Sequence, residues 1–158
     1  MGDRDHVRAS LAAVGVRQVF WKVEIKPGRP VAFSLHGERP VFSLPGNPVA
    51  ALVTFEEFVR PALRRLAGHA AVLRPVVQAL FQERLVAKPG RVTLARVRLA
   101  RQGPELHAWS AGPHDAGILR TSLRADGIAV LPAEGANLEP GSPVEVQVLR
   151  PEFEDRGR

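Results

Sequence analysis

The chain has 158 residues, a formal net charge of +6 and no cysteine. Its length suits one domain of ordinary size or two small ones, and a composition of 45% hydrophobic and 24% charged residues is that of a soluble globular protein. The missing cysteines exclude disulfides, thiolate metal sites and a cysteine nucleophile, and fit a cytoplasmic setting. No apolar run approaches the length of about eighteen residues that a membrane-spanning helix needs. The stretch Met1–Ser10 has no apolar core, so no secretory signal is expected. The positive charge is local: Arg60 to Arg101 holds ten Lys/Arg and one acid, Glu83. Such a stretch favours an anionic partner. Nucleic acid ranks low, because Phe81 is the only aromatic residue in the stretch and no nucleic-acid motif is present.

In chain order, the first part reads as α/β. Asp5 to Val14 has the spacing of a short amphipathic helix, with Val7, Leu11 and Val14 on one face and Gly15 as its stop. Gln18 to Ile25 reads as a strand that ends at Lys26-Pro27-Gly28. Val31–Leu35 and Pro40–Leu44 read as two more, with a turn at His36-Gly37. A helix follows from about Pro48 to Leu66, with apolar residues at i, i+3 and i+4 spacing. Pro48 suits its first turn, Pro61 should disturb its middle, and Gly68 ends it. After Gly68 the period changes. Val72–Leu85, Val92–Leu99, Leu106–Trp109, Ile128–Leu131 and Val144–Leu149 read as short strands separated by Pro/Gly turns, the pattern of a small barrel or sandwich. On Val92–Leu99 the alternation places Val92, Leu94, Arg96 and Arg98 on one face. A boundary falls near His69–Leu73, and Pro151–Arg158 reads as a charged tail.

Two turns stand out. Ile25-Lys26-Pro27-Gly28-Arg29-Pro30 and Leu44-Pro45-Gly46-Asn47-Pro48-Val49-Ala50 each put Pro and Gly directly after an apolar stretch, and the second opens the long helix. A turn of this kind ahead of a helix is expected to leave backbone N–H groups for an anion. Lys22 and Lys26, an even number of steps apart, share a face of the predicted strand. From spacing alone they read equally as solvated lysines on an edge strand, and Pro45–Pro48 as a plain strand–helix turn. Asp3 or Asp5 reads equally as a helix N-cap.

Phe20–Phe33 (FWKVEIKPGRPVAF) and Val41–Leu63 (VFSLPGNPVAALVTFEEFVRPAL) resemble the molybdopterin molybdenumtransferase family, which includes the gephyrin E domain. Gly2-Asp3-Arg4-Asp5 resembles the family's G-[DE]-x-D stretch. Ala125–Ile128, Leu131-Pro132 and Gly141–Val144 resemble its C-terminal β domain. The resemblance implies an α/β part followed by an all-β part. These would be the second half of a three-layer α/β molybdopterin-binding domain (residues 1–68), then a small C-terminal β-barrel domain (73–150) and the tail (151–158). Family members are about twice this length or more, so the chain is expected to be a C-terminal fragment.

The implied activity is insertion of molybdate into adenylylated molybdopterin, with hydrolysis of the adenylate and a divalent cation, Mg2+. A homodimer is implied, with no membrane partner. By resemblance Asp5, Lys22 and Lys26 are catalytic and Asp5 is also the metal ligand. Arg29, Pro45, Gly46, Asn47, Pro48 and Arg96 bind substrate. Fixed cations and backbone donors suit a polyanionic substrate. The alternative is a non-catalytic scaffold or dimerisation module of the same ancestry. Three positions depart from the family pattern. Leu94 stands where an aromatic residue is usual in the stretch around Arg91 and Arg96, and Ala50 and Ala116 stand where serine is frequent. Each lost hydroxyl removes a hydrogen bond worth about 0.5–1.5 kcal/mol.

Overall fold

The computed structural model describes residues 6–112 and 124–152. Helix α1 (Val7–Ala13) lies over a three-stranded antiparallel sheet of order β1 (Arg17–Trp21), β3 (Ala32–His36), β4 (Arg39–Ser43). Pro40 sits on β4, the edge strand, where its missing N–H costs no ladder bond. Phe20, Phe33 and Phe42 line up across the three strands, with centroids 5.8 and 4.9 Å apart, and Phe58 covers Phe20 at 6.0 Å. The apolar stripe of α1 is not covered: Val7 is 53% and Val14 64% exposed. Asp3 and Asp5, and with them the N-cap reading, lie outside the described residues.

The strand expected over Gln18–Ile25 is two strands. β1 ends at Trp21, Lys22 takes a left-handed φ of 64°, and β2 (Ile25–Lys26) leaves the first sheet to pair in parallel with β7 (Val92–Gln102). Lys22 N–H donates to Val31 O at 3.1 Å and Val23 N–H to Arg29 O at 3.0 Å, so the chain folds back on itself while changing sheets. Lys22 and Lys26 therefore do not share one strand face.

The helix expected from Pro48 to Leu66 has those bounds, as α2 (Pro48–Thr54), a π-helical turn (Phe55–Val59) and α3 (Arg60–Leu66). Pro61 lacks an N–H and its ring would press on the carbonyl four residues back. The wider turn, in which Arg60 N–H donates to Phe55 O, admits it without ending the helix.

The remaining strands are β5 (Val76–Phe81), β6 (Leu85–Ala87), β8 (Glu105–Ser110), β9 (Gly127–Leu131), β10 (Ala136–Leu138) and β11 (Ser142–Val148). Strands β7, β8, β5, β11 and β9 form a closed five-stranded barrel, the β7–β9 pairing making the closure. Phe81, Ala95, Val97, Ala108, Ala129 and Val146 fill its interior, and the β6–β10 pair adds Ala87 and Leu138. The interior face of β7 is thus Ala95, Val97 and Leu99. Leu94 lies on the outer face, in a second cluster with Ile25, Val53 and Ile128 that joins β2, α2 and the barrel. Each such buried aliphatic side chain contributes about 1.5–3 kcal/mol.

Polar contacts reinforce this junction. Arg74 donates to both oxygens of Glu56, at 3.0 and 3.2 Å, and to Leu149 O at 3.1 Å. Gln147 Nε2 donates to Glu57 Oε2 at 3.4 Å, and Glu57 Oε1 is buried with no hydrogen-bond partner. Gly28, at φ 114°, lies against Thr54 so closely that a Cβ there would collide with Thr54 Cγ2. Thr54 is fully buried and its hydroxyl is committed to Ala50 O at 2.8 Å, so it cannot give way.

Gly28→Ala should lose about 2–4 kcal/mol in urea unfolding, from a left-handed backbone and a collision combined. Burial raises the Glu57 pKa above its ordinary 4.5, with Glu56 adding to the rise and Gln147 opposing it. The folded state then holds a proton the unfolded state has released. Its stabilising contribution is complete below pH 4.5 and is lost as pH rises through the folded value. Glu57→Gln should raise Tm at pH 7 and flatten the pH dependence above 4.5; a lower Tm at neutral pH would contradict this assignment.

Candidate functional site

The β2–β7 pairing builds the site. Ile25 is opposite Val92 and buried in the junction cluster, and Lys26 is opposite Thr93. Successive side chains on a strand point to opposite sides. Lys26 accordingly lines a cavity of about 720 Å³ together with Pro27, Lys88, Arg91, Thr93, Leu94 and Arg96, with Leu85–Ala87 and Pro89 completing the wall. Four cations converge and no acidic residue is among the described lining residues. The Lys26–Pro27 peptide is cis.

Arg96 was expected to contact an oxyanion, against the alternative of an ordinary exposed strand arginine. It is 3% exposed, and burial pushes its guanidinium pKa down. An arginine stays charged under such a shift, so the wall includes a largely buried cation. Arg91 reaches the rim through Glu24: its Nε is 3.5 Å from Glu24 Oε2, while Arg29 Nε and Nη2 donate to Glu24 Oε1 at 3.2 and 3.0 Å.

The structure brings Lys26 and Arg96 together and leaves the other described candidates outside that lining. Lys22 Nζ sits 4.0 Å above the Trp21 ring and Arg8 Cζ 3.8 Å from it, with Arg8 Nε donating to Gln18 Oε1 at 2.8 Å. Trp21, Arg8 and Gln18 line a different groove, of about 610 Å³, between α1 and the sheet.

The expectation that the Pro45–Pro48 turn leaves helix N–H groups for an anion is corrected. Asn47 Oδ1 accepts from Val49 N at 3.0 Å and Ala50 N at 3.2 Å, Asn47 O accepts from Ala51 N at 2.9 Å, and Pro48 has no donor. The space over Gly46 is open. Asp5 and Ala116 lie outside the described residues. Among the described residues no group of three or more His, Asp or Glu could hold a metal ion. Sequence reasoning missed Lys88, Thr93 and the anchoring Glu24. The Pro89-Gly90 turn between Lys88 and Arg91 was the available signal.

Residues 1–65 match the family described as "Probable molybdopterin binding domain", and residues 78–149 match the "MoeA C-terminal region (domain IV)". The molybdopterin molybdenumtransferase of Synechococcus elongatus is 36% identical over 94% of this chain and 36% of its own length. That of Haemophilus influenzae is 32% identical over 93% and 37%. The chain belongs to the molybdopterin molybdenumtransferase family. It corresponds to the C-terminal portion and spans little more than a third of the length of these curated relatives. The fold agrees: a molybdopterin biosynthesis protein of the MoeA type from Pyrococcus horikoshii superposes with a TM-score of 0.74 at 24% identity, over 89% of this chain and 34% of that one. The barrel following an α/β part, expected from the family resemblance, is what the structure has.

Glu24 holds Arg29 and Arg91 by exposed ion pairs that contribute about 0–1 kcal/mol. Glu24→Gln should therefore change urea stability by less than about 1 kcal/mol. Because it removes a negative charge at the rim and releases Arg91, it should tighten pyrophosphate binding severalfold in calorimetric titration. Weaker binding would mean that Glu24 presents Arg91 to the anion instead of competing with it.

Proposed function

We propose that the chain forms the oxyanion-holding part of a molybdenum-inserting enzyme, acting on molybdate and adenylylated molybdopterin. The convergence of Lys26, Lys88, Arg91 and Arg96 on one cavity, with no acid among its described lining residues, carries this reading. Molybdate is a compact dianion and the adenylylated pterin carries a pyrophosphate, so both need desolvated positive charge. Lys26 and Arg96 would hold oxyanion oxygens, Lys88 and Arg91 would extend the positive wall toward a second anionic group, and Lys22 and Arg29 would guide the substrate from outside it. Pro45 to Pro48 would contribute shape, with Gly46 leaving room for a ligand. The reading also takes Asp5 as the acidic residue for Mg2+, a homodimer as the working form and the cytoplasm as the setting, all from the family resemblance. It divides the chain into residues 1–68, 73–150 and the tail 151–158.

The scaffold reading keeps one observation in its favour, the exposed apolar face of α1. Calorimetric titration of the chain with molybdate and with pyrophosphate separates the two. Lys26→Ala and Lys88→Ala should each weaken binding about tenfold, the effect of losing a charge-assisted contact of about 1.5 kcal/mol. Arg96→Lys should weaken it comparably while leaving the circular dichroism unchanged. A folded chain that binds neither anion would favour the scaffold module.

A further inference from the structure

Arg96 lines a second cavity, of about 260 Å³, between α2 and the barrel. Its floor is apolar: Leu52 and Val53 from α2, Ile128 from β9 and Leu149 after β11. Ile128 stands directly opposite Arg96 in the β7–β9 ladder. The described residues around this floor include three arginines, Arg74, Arg96 and Arg150, and one acid, Glu56. Glu56 is already neutralised by the two-point contact with Arg74. Arg150 donates its backbone N–H to Asp126 O at 3.1 Å, and among the described residues no ion pair or side-chain hydrogen bond engages its guanidinium. The cavity is smaller than the roughly 300 Å³ at which pockets for drug-sized ligands begin, and it combines an apolar base with net positive charge.

We infer that this cavity is a binding site for a small amphiphilic carboxylate, an apolar ring or short branched chain bearing one acid group. The apolar body would lie on Leu52, Val53, Ile128 and Leu149, and the carboxylate would face Arg150 and Arg96. Because Arg96 also lines the larger cationic cavity, such a ligand draws on a charge that the proposed oxyanion site uses, and the two ligands should oppose each other. This second part rests on the proposed function; the site itself does not.

The test is methyl NMR of the 158-residue chain titrated with benzoate, and with benzamide as the neutral isostere. Saturable shifts of the Leu52, Ile128 and Leu149 methyls with benzoate, at least about tenfold weaker with benzamide and with Arg150→Gln, are expected from loss of one charged contact. Leu52→Glu, at a partly exposed position, should abolish the shifts while leaving the barrel methyls in place. Equal binding of benzamide, or shifts indifferent to Arg150→Gln, would overturn the site. In a parallel titration saturating benzoate should weaken molybdate binding at least about threefold. Unchanged molybdate affinity would overturn the sharing of Arg96. A chain that never binds molybdate would instead overturn the oxyanion reading, with the benzoate shifts still deciding the carboxylate site.

Discussion

The rest of the structure depends on the two-residue parallel pairing of Ile25 and Lys26 with Val92 and Thr93. This is the strand pairing that joins the first half of the chain to the barrel, beside the side-chain bonds from Arg74 to Glu56 and from Gln147 to Glu57. A shift of one residue would exchange the two side chains, placing an ammonium among Val53, Leu94 and Ile128 and an isoleucine in the cationic cavity. Burial of an unpaired ammonium is costly enough to exclude that register. The contact of Gly28 with Thr54 makes the same choice from the other side, since the turn after Lys26 can approach α2 only with no Cβ in the way. The residues that hold the fold together and those that build the site are therefore neighbours on one short segment.

The cavity concentrates like charge, and like charge opposes folding. Two features limit the cost. Glu24 neutralises part of the rim through Arg29 and Arg91, in water and at modest energy. Lys88 and Arg91 are exposed and keep most of their hydration, and Arg96 is the buried cation of the group. An anion bound in the cavity would offset that cost in the folded state alone, so binding and stability are linked.

Much of this was legible in the sequence. The long helix announced itself by its period and by Pro48, and the strand positions β7, β8, β9 and β11 by the Pro/Gly turns between them. The break after Trp21 was not, because Lys22 adopts a left-handed backbone without a glycine to mark it. Which face of β7 turns to the barrel stays open in the sequence, because Ala95, Val97 and Leu99 on one side and Val92 and Leu94 on the other both offer apolar residues. Strands β6 and β10, of three residues each, are too short to carry a period. The anion expectation for Pro45–Pro48 failed on one side chain: Asn47 caps the donors itself.

In the sequence, Arg60 to Arg101 is one basic run. In space it is divided among separate tasks. Arg60 and Arg64 donate to Val72 O and Ala71 O, at 3.0 and 2.9 Å, and secure the chain leaving α3. Arg74 ties Glu56 to the end of the barrel, Arg84 lies 3.5 Å from Glu139, and Arg101 donates to Pro104 O at 3.3 Å. Lys88, Arg91 and Arg96 face the large cationic cavity. The π-helical turn contributes to this division by setting the two successive acids apart, Glu56 toward Arg74 and Glu57 toward Gln147. A basic run is therefore a poor guide to a basic surface here. Several of its charges act locally as hydrogen-bond donors to carbonyls, and three, Lys88, Arg91 and Arg96, converge on Lys26, which the fold brings in from far earlier in the chain.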